Sequence, residues 1–309
     1  MAICFTSAHP LVAQLRSVDL TGVPSKSFST PITSVTKGVE LANGRFLFVD
    51  RSEVSVLLAD FSSDKLLVLG GRGAGPGEYR VPSHPVSDGK GGAIVADQAL
   101  GRALLVSGAG VVQGTGLTRE EIDGSPSAIR GMDSLGRLYR MGRQGAMGRD
   151  SMPIERWDPA RKVTKHIAWW PMVRTIMGPP IKGPDGKVAT SISSATMFPL
   201  RTEWAVLPDG SVAMVYPSPY RVEVISPDGK RVRGRNVPFN PVQVTEAYRN
   251  WIAKVRGPIP RENFPATLPP FEDAGAVLAS IAGEIWVGRT RDWNDSIPKY
   301  DIFDKQGAL

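Results

Sequence analysis

Two aspartates occupy the same place in two similar stretches of this sequence. Asp50 follows the apolar residues 46–49, and Asp97 follows the apolar residues 93–96. If both lie where strand ends meet, their carboxylates could bind a hard cation such as Ca²⁺, which prefers oxygen ligands. The alternative is that each aspartate caps the following turn by accepting hydrogen bonds from backbone N–H groups. We favour the turn caps, because the corresponding places in two later stretches hold no carboxylate.

The other residues with catalytic potential form no recognisable motif. His9, His84 and His166 have no second His or Cys at metal-ligand spacing, and the single cysteine, Cys4, excludes an intrachain disulfide. The glycine-rich residues 70–77 are not followed by the Gly-Lys-Ser/Thr of a phosphate-binding loop, so we interpret them as a tight connection between structural units. No Gly-x-Ser-x-Gly nucleophile motif is present either. We therefore predict no catalytic residues.

Three tryptophans lie in the two segments that interrupt the pattern of short strands. Trp169 and Trp170 belong to residues 168–200, and Trp251 belongs to residues 238–271. Exposed aromatic side chains contribute strongly to binding energy at interfaces. We predict that Trp169, Trp170 and Trp251 are contact residues for a binding partner.

The elements that must position these residues repeat along the chain. A turn followed by an apolar strand, and then by a second strand and turn, occurs five times, with turn glycines at Gly44, Gly92, Gly136, Gly210 and Gly283. The first three are roughly 45 residues apart, which is the length of a four-stranded propeller blade. The last two gaps are longer and contain insertions. We predict an all-β protein, a β-propeller forming one domain over residues 15–309; a β-sandwich would reproduce only some of these strands.

The two insertions differ in character. The sequence of residues 168–200 predicts a long surface loop with an extra hairpin around Pro184-Asp185-Gly186. Residues 238–271 contain the one short helix that we predict, with Thr245 as N-cap and a stop at Gly257-Pro258. Tyr248, Trp251, Ile252 and Val255 recur at helical spacing, which favours a helix that covers one face of the ring.

The segment Gly70-Gly71-Arg72-Gly73-Ala74-Gly75-Pro76-Gly77-Glu78-Tyr79 resembles a phrase of bacterial six-bladed β-propeller proteins of the NHL/TolB-like type. The likeness extends over roughly residues 38–309. It implies six blades, with this segment linking the first and second. Only five units are readable, so we expect either an incomplete last blade or a contribution from the N-terminal part. Residues 15–20 could supply a strand that closes the ring against the last blade.

The N-terminal residues and the charge bear on location and partners. Residues 1–14 have the character of an export-signal remnant or a disordered terminus, and an exported protein of the periplasm or the extracellular space is expected. No apolar run is long enough to predict a transmembrane helix. The net charge of +7 is scattered and includes no run of five like charges. We therefore expect no nucleic acid partner.

These observations favour a non-enzymatic binding or scaffold propeller of the bacterial cell envelope. It would recognise a protein, peptide or glycan through one loop face, as a monomer and without a cofactor. Two alternatives stay open. One is a metal-assisted hydrolase or lactonase at the mouth of the central channel, with Ca²⁺ bound at Asp50 and Asp97. The other is a binder of nucleic acid or anionic surfaces, which only the net charge supports.

Overall fold

The computed structural model describes residues 17–19, 32–35, 37–142, 150–172, 175–182, 188–194, 197–256, 259–271, 275–295 and 297–309. For residues 17–19, 175–182 and 188–194 it describes the backbone alone. Residues 1–14, with Cys4 and His9, lie outside this part. The strands are β1 (Ser17–Asp19), β2 (Val39–Glu40), β3 (Phe46–Asp50), β4 (Ser55–Asp60), β5 (Lys65–Leu69), β6 (Gly71–Arg72), β7 (Glu78–Tyr79), β8 (Pro82–Ser87), β9 (Ala93–Asp97), β10 (Arg102–Val106), β11 (Val112–Gly116), β12 (Ile129–Met132), β13 (Leu138–Met141), β14 (Ser151–Asp158), β15 (Val163–Pro171), β16 (Thr175–Lys182), β17 (Val188–Ser194), β18 (Glu203–Val206), β19 (Val212–Pro217), β20 (Tyr220–Ile225), β21 (Arg231–Arg233), β22 (Val277–Ala279), β23 (Ile285–Gly288) and β24 (Lys299–Phe303). One α-helix, α1 (Glu246–Arg256), and two short 3₁₀ turns, Pro126–Ala128 and Arg261–Asn263, complete the described structure.

Five four-stranded antiparallel sheets form the blades of a β-propeller. In chain order they are blade 1 (β2 to β5), blade 2 (β8 to β11), blade 3 (β12 to β15), blade 4 (β18 to β21) and blade 5 (β22 to β24 with β1). The all-β propeller prediction is confirmed. The expectation of six blades is not met, because the described residues form five such sheets and blades 1 to 5 follow one another along the chain.

The N-terminal strand completes the last blade, as the sequence predicts. β1 pairs antiparallel with β24, with Ser17 opposite Asp301 and Asp19 opposite Lys299. Blade 5 therefore takes its outermost strand from the beginning of the chain and its other three strands from the end. This pairing fixes the N-terminal strand to blade 5 through backbone hydrogen bonds.

The repeated glycines form the turns between the first and second strand of each blade. Gly44, Gly136, Gly210 and Gly283 all have φ between +75° and +86°, a conformation that favours glycine because it has no Cβ. In blade 2 this position belongs to Gly91, at φ +85°, and not to the predicted Gly92. We call the face that carries these turns the lower face. The innermost strands β2, β8, β12, β18 and β22 all begin at the opposite, upper face, because every blade has the same up-and-down order.

Apolar clusters join successive blades. Separate clusters of buried side chains link blades 1 and 2, blades 2 and 3, blades 3 and 4, and blades 4 and 5. A blade inside the ring is therefore covered on both faces, which explains the continuous apolar run of β19. Among the described residues, no such cluster joins blade 5 to blade 1. Phe48, Leu57 and Ala59 on the free face of blade 1 form a small cluster within that blade and its neighbouring loop. We call the junction between blades 5 and 1 the seam.

Both insertions have the predicted elements. β16 pairs antiparallel with β17 around the predicted turn, whose residues 183–187 lie outside the described part. The helix α1 begins after Thr245, whose hydroxyl oxygen accepts the backbone N–H of Tyr248 at 3.2 Å. Tyr248 and Ile252 are buried as predicted, whereas Val255 is exposed. Within the described residues, no helix is long and apolar enough to cross a membrane.

Candidate functional site

Asp50 and Asp97 cap turns at the upper face, each at the end of the second strand of its blade. The Asp50 carboxylate accepts backbone N–H groups of Ser52 at 3.0 Å, Glu53 at 3.2 Å and Thr33 at 3.0 Å. These bonds fix the turn and tie it to the segment that leads into the innermost strand. Every one of these bonds comes from a backbone N–H donor, as expected for a turn cap.

Asp97 has the same arrangement in blade 2. It accepts the N–H groups of Arg80 at 2.5 Å, Ala99 at 2.9 Å and Leu100 at 3.1 Å. The turn-cap interpretation is thus confirmed for both aspartates. No three His, Cys, Asp or Glu side chains within the described ranges are grouped as a metal site. Calcium binding at Asp50 and Asp97 stays a prediction.

The glycine-rich segment is the predicted connection between blades 1 and 2. Its short strands β6 and β7 pair in parallel, and the carboxylate of Glu78 accepts the backbone N–H of Gly75 at 2.6 Å. A Cβ at Gly73 would stand 2.0 Å from the Glu78 carboxylate. Gly73 and Gly75 are favoured here because a side chain at either position would meet the Glu78 carboxylate.

Of the three predicted tryptophans, Trp170 is misassigned. It is 8% exposed and packs between blades 3 and 4, where its indole N–H donates to the carbonyl of Thr202 at 2.5 Å. Because side chains on β15 alternate between two faces, neighbouring tryptophans point to opposite sides. Trp169, 46% exposed, is the outward one, with its ring 4.8 Å from that of His166.

Trp251 lies at a pocket on the upper face. The pocket has a volume of about 600 Å³ and is formed by α1 together with the loop between β23 and β24. Trp251, 37% exposed, stacks on Trp293 with ring centres 6.4 Å apart and an angle of 26° between the planes. The ring of Tyr248 packs against that of Trp251, with ring centres 5.7 Å apart. We call this site the tryptophan pocket.

Polar groups surround the tryptophan pocket. Lys299 and Asp295 form an ion pair at 2.7 Å, and Arg291 donates to the backbone carbonyl of Asp295 at 3.2 Å. Arg289 lies 3.6 Å from the buried carboxylate of Asp301. The pocket therefore presents an aromatic surface beside a loop that carries charges of both signs.

The axis of the ring holds a larger cavity of about 720 Å³, which we call the central cavity. The innermost strands of all five blades contribute to its wall. It also extends into the seam, where Phe46 of blade 1 and Trp286 and Tyr300 of blade 5 line it. The central cavity therefore reaches the junction that lacks a shared apolar cluster among the described residues.

Charged groups gather at the upper end of the central cavity. Lys37 precedes β2, His84 lies on β8, and Arg130 lies on β12; all three line the cavity. Burial, with the charges of Lys37, Arg130 and Arg51, lowers the pKa of His84 to about 4, so this imidazole is neutral at pH 7. Burial and the charge of Arg130 likewise lower the pKa of Lys37.

One buried carboxyl group stands near these cations. Glu203, the first residue of β18, is 3% exposed, and burial raises its pKa although Arg130, Lys37 and Arg201 oppose that shift. Its Oε1 has no hydrogen-bond partner among the described residues. Lys37, Arg130 and Glu203 were not predicted from the sequence, because they come from three blades and share no motif. The feature that could have identified them is a charged residue at the start of an apolar innermost strand.

Comparison with known proteins supports no functional assignment. No family model and no curated protein matches the sequence. Among solved structures, a putative exported protein from Bacteroides fragilis is 12% identical with a TM-score of 0.44, covering 98% of this chain and 77% of that one. A streptogramin B lyase is 12% identical with a TM-score of 0.39, covering 94% and 89%. Regucalcin, a calcium-binding protein from Agrobacterium tumefaciens, is 14% identical with a TM-score of 0.31, covering 90% and 73%. Such low identities transfer neither activity nor ligand.

Proposed function

We propose that this chain is a non-enzymatic binding propeller that takes a peptide or glycan ligand at the tryptophan pocket of its upper face. The observation that carries the proposal is the exposed stack of Trp251 on Trp293. Two large aromatic side chains left partly open to solvent at a concave site favour binding, since they gain much apolar contact when a ligand covers them.

The build of the pocket supports this role. Trp251 is fixed on a capped helix, and Tyr248 and Ile252 anchor that helix in a buried cluster. An aromatic surface on a rigid element loses little conformational entropy on binding. The neighbouring Asp295 and Lys299 supply an acceptor and a donor for polar groups of a ligand. This mixture suits peptides and glycans, which combine apolar surface with hydrogen-bonding groups.

The site can be tested with Trp251→Ala and Trp293→Ala in the full chain. The wild-type protein is screened on arrays of peptides and of oligosaccharides, and hits are measured by calorimetry. We expect each variant to weaken binding by roughly thirtyfold, as for a central aromatic contact. Trp169→Ala is the matched control, because Trp169 is also exposed but lies on the outermost strand of blade 3. If the hits bind the wild type and all three variants with the same affinity, the assignment of the ligand site to the tryptophan pocket is wrong.

We also propose that the protein works in the cell envelope, in the periplasm or outside the cell. The resemblance of residues 70–79 and the character of residues 1–14 support this location. Fractionation of source cells, with an antibody against the chain, tests it. Recovery of the protein only with cytoplasmic markers would refute the location and leave the pocket untouched.

A further inference from the structure

The central cavity is a second concave site, separate from the tryptophan pocket. Leu278 and Tyr300 line both, but Trp251 and Trp293 contribute only to the tryptophan pocket, and Lys37 and Arg130 only to the cavity. Much of the cavity wall is apolar, including Phe46, Val206, Leu278 and Trp286. At about 720 Å³ it has the size of a small-molecule site.

The charges of the cavity are separated along the ring axis. Lys37 and Arg130 lie at the upper end, where their strands begin, and His84 beside them is neutral at pH 7. The lining carboxylates, Glu40 and Glu284, lie toward the lower face: Glu40 ends β2, and Glu284 precedes β23. The two ends of the cavity therefore favour opposite charges.

Positive charge dominates the upper end. Within the described residues, Lys37 and Arg130 take part in no ion pair, and Glu203 is the one carboxyl group whose charge acts on Lys37 there. The Arg130 guanidinium also lies over the ring of Trp170, 5.9 Å from its centre. Burial first, and then repulsion by Arg130, lower the pKa of Lys37, and the charge of Glu203 opposes this shift. Two cations in a partly enclosed, apolar site attract an anion strongly, because the surroundings screen charge less than water does.

We infer that the central cavity binds an organic carboxylate with an apolar tail, with Lys37 and Arg130 as the contacts of the carboxylate group. The tail lies along the apolar wall toward the seam. Lysine acts as a point charge and arginine offers parallel N–H donors, so the pair suits the two oxygens of a carboxylate.

Three probes of equal chain length test the charge requirement on the wild-type chain: octanoate, 1-octanol and octylammonium. Calorimetry should show octanoate binding at least about tenfold more tightly than 1-octanol, since only the carboxylate forms charge-assisted hydrogen bonds. Octylammonium should lack this gain, because Lys37 and Arg130 repel its ammonium group and only the lower end of the cavity carries carboxylates. No measurable octanoate binding, or equal affinity for octanoate and 1-octanol, would overturn the inference.

Variants identify the contacts. Lys37→Gln and Arg130→Gln should each weaken octanoate binding by about tenfold and leave 1-octanol binding unchanged, whereas Lys37→Arg should retain octanoate binding. Lys299→Gln is the matched control, because Lys299 lines the tryptophan pocket and pairs with Asp295. Unchanged octanoate affinity in both Gln variants would refute the assigned contacts.

The same titration separates this site from the proposed function. Trp251→Ala should leave octanoate affinity unchanged, and Lys37→Gln should leave the binding of peptide or glycan hits unchanged. Loss of octanoate binding in Trp251→Ala would show that the two pockets form one site and would overturn the inference of a separate carboxylate site.

Discussion

The junction of blades 3 and 4 and the seam between blades 5 and 1 have the same place in the repeat but different packing. At the former, Tyr139, Trp170 and Trp204 belong to one buried apolar cluster that both blades share. At the seam, Phe46 and Trp286 instead line the central cavity. Blades 3 and 4 are thus tightly packed although the β16–β17 hairpin separates them along the chain, whereas the described residues of blades 5 and 1 share no buried apolar cluster.

This difference shows how a ring of repeats can hold a ligand. Closure of blade 5 comes from backbone pairing of β1 with β24, which needs no apolar packing across the seam. Blade 5 is therefore complete without an apolar cluster shared with blade 1 among the described residues. The packed junctions supply rigidity, and the central cavity that reaches the seam supplies volume.

The largest expected effect lies at the packed junction. Trp170→Ala removes a buried indole from between blades 3 and 4 and should lower the free energy of unfolding by about 3–5 kcal/mol. Urea denaturation followed by circular dichroism measures it. The neighbouring Trp169→Ala is the control, with an expected change of at most about 0.5 kcal/mol. A loss below about 1 kcal/mol for Trp170→Ala would contradict the tight packing of this junction.

A polar link across the same junction should contribute less. The Tyr139 hydroxyl donates to the carbonyl of Gly210 in the turn of blade 4 at 2.8 Å and lies 3.1 Å from the Asp133 carboxylate. Tyr139→Phe keeps the ring and removes the hydroxyl that donates to the buried Gly210 carbonyl, so we expect the free energy of unfolding to fall by about 1–2 kcal/mol in the same assay. An unchanged midpoint would show that the hydroxyl is dispensable for joining the blades.

At the seam, truncation of an aromatic side chain should matter little. Trp286 lines the central cavity, and its indole N–H donates to Glu284 of its own blade at 3.0 Å. Trp286→Ala enlarges an existing cavity and should lower the free energy of unfolding by about 1 kcal/mol, well below the loss expected for Trp170→Ala. Equal losses in the two variants would mean that the seam is packed like the other junctions.

The remaining effect is on the pH dependence of stability at the upper end of the central cavity. The folded pKa of His84, about 4, lies below its ordinary value of 6.5, because of burial and the charges of Lys37, Arg130 and Arg51. Between these two pH values the unfolded chain binds the proton that the folded one does not, so the His84 contribution to stability falls as the pH falls through this window. The pKa of Glu203 is raised in the folded state, so its contribution to stability increases as the pH falls.

Comparison of His84→Asn with the wild type isolates the histidine. From pH 6.5 down to pH 4, the variant should lose less stability than the wild type, as measured by urea midpoints at each pH. Parallel pH profiles for the two proteins would show that His84 is not buried among cations.

Local patterns in the sequence determined most of the fold. The turn glycines, the apolar strand runs and the cap at Thr245 act through backbone conformation and burial over a few residues, and the turns, strands and helix follow from them. The same holds for the turn caps at Asp50 and Asp97, which bond backbone groups close to the strand end. The strand at residues 17–19 was also predictable, because the last blade lacked its fourth strand.

Tertiary structure alone decided the number of blades, the burial of Trp170 and the composition of both pockets. A propeller closes at the number of blades its packing allows, and no single repeat encodes that number. Trp169 and Trp170 differ in exposure because the register of β15 against its neighbours sets which one faces inward. Lys37, Arg130 and Glu203 come together because the innermost strands of three blades begin at the same face of one ring, a proximity that sequence separation conceals.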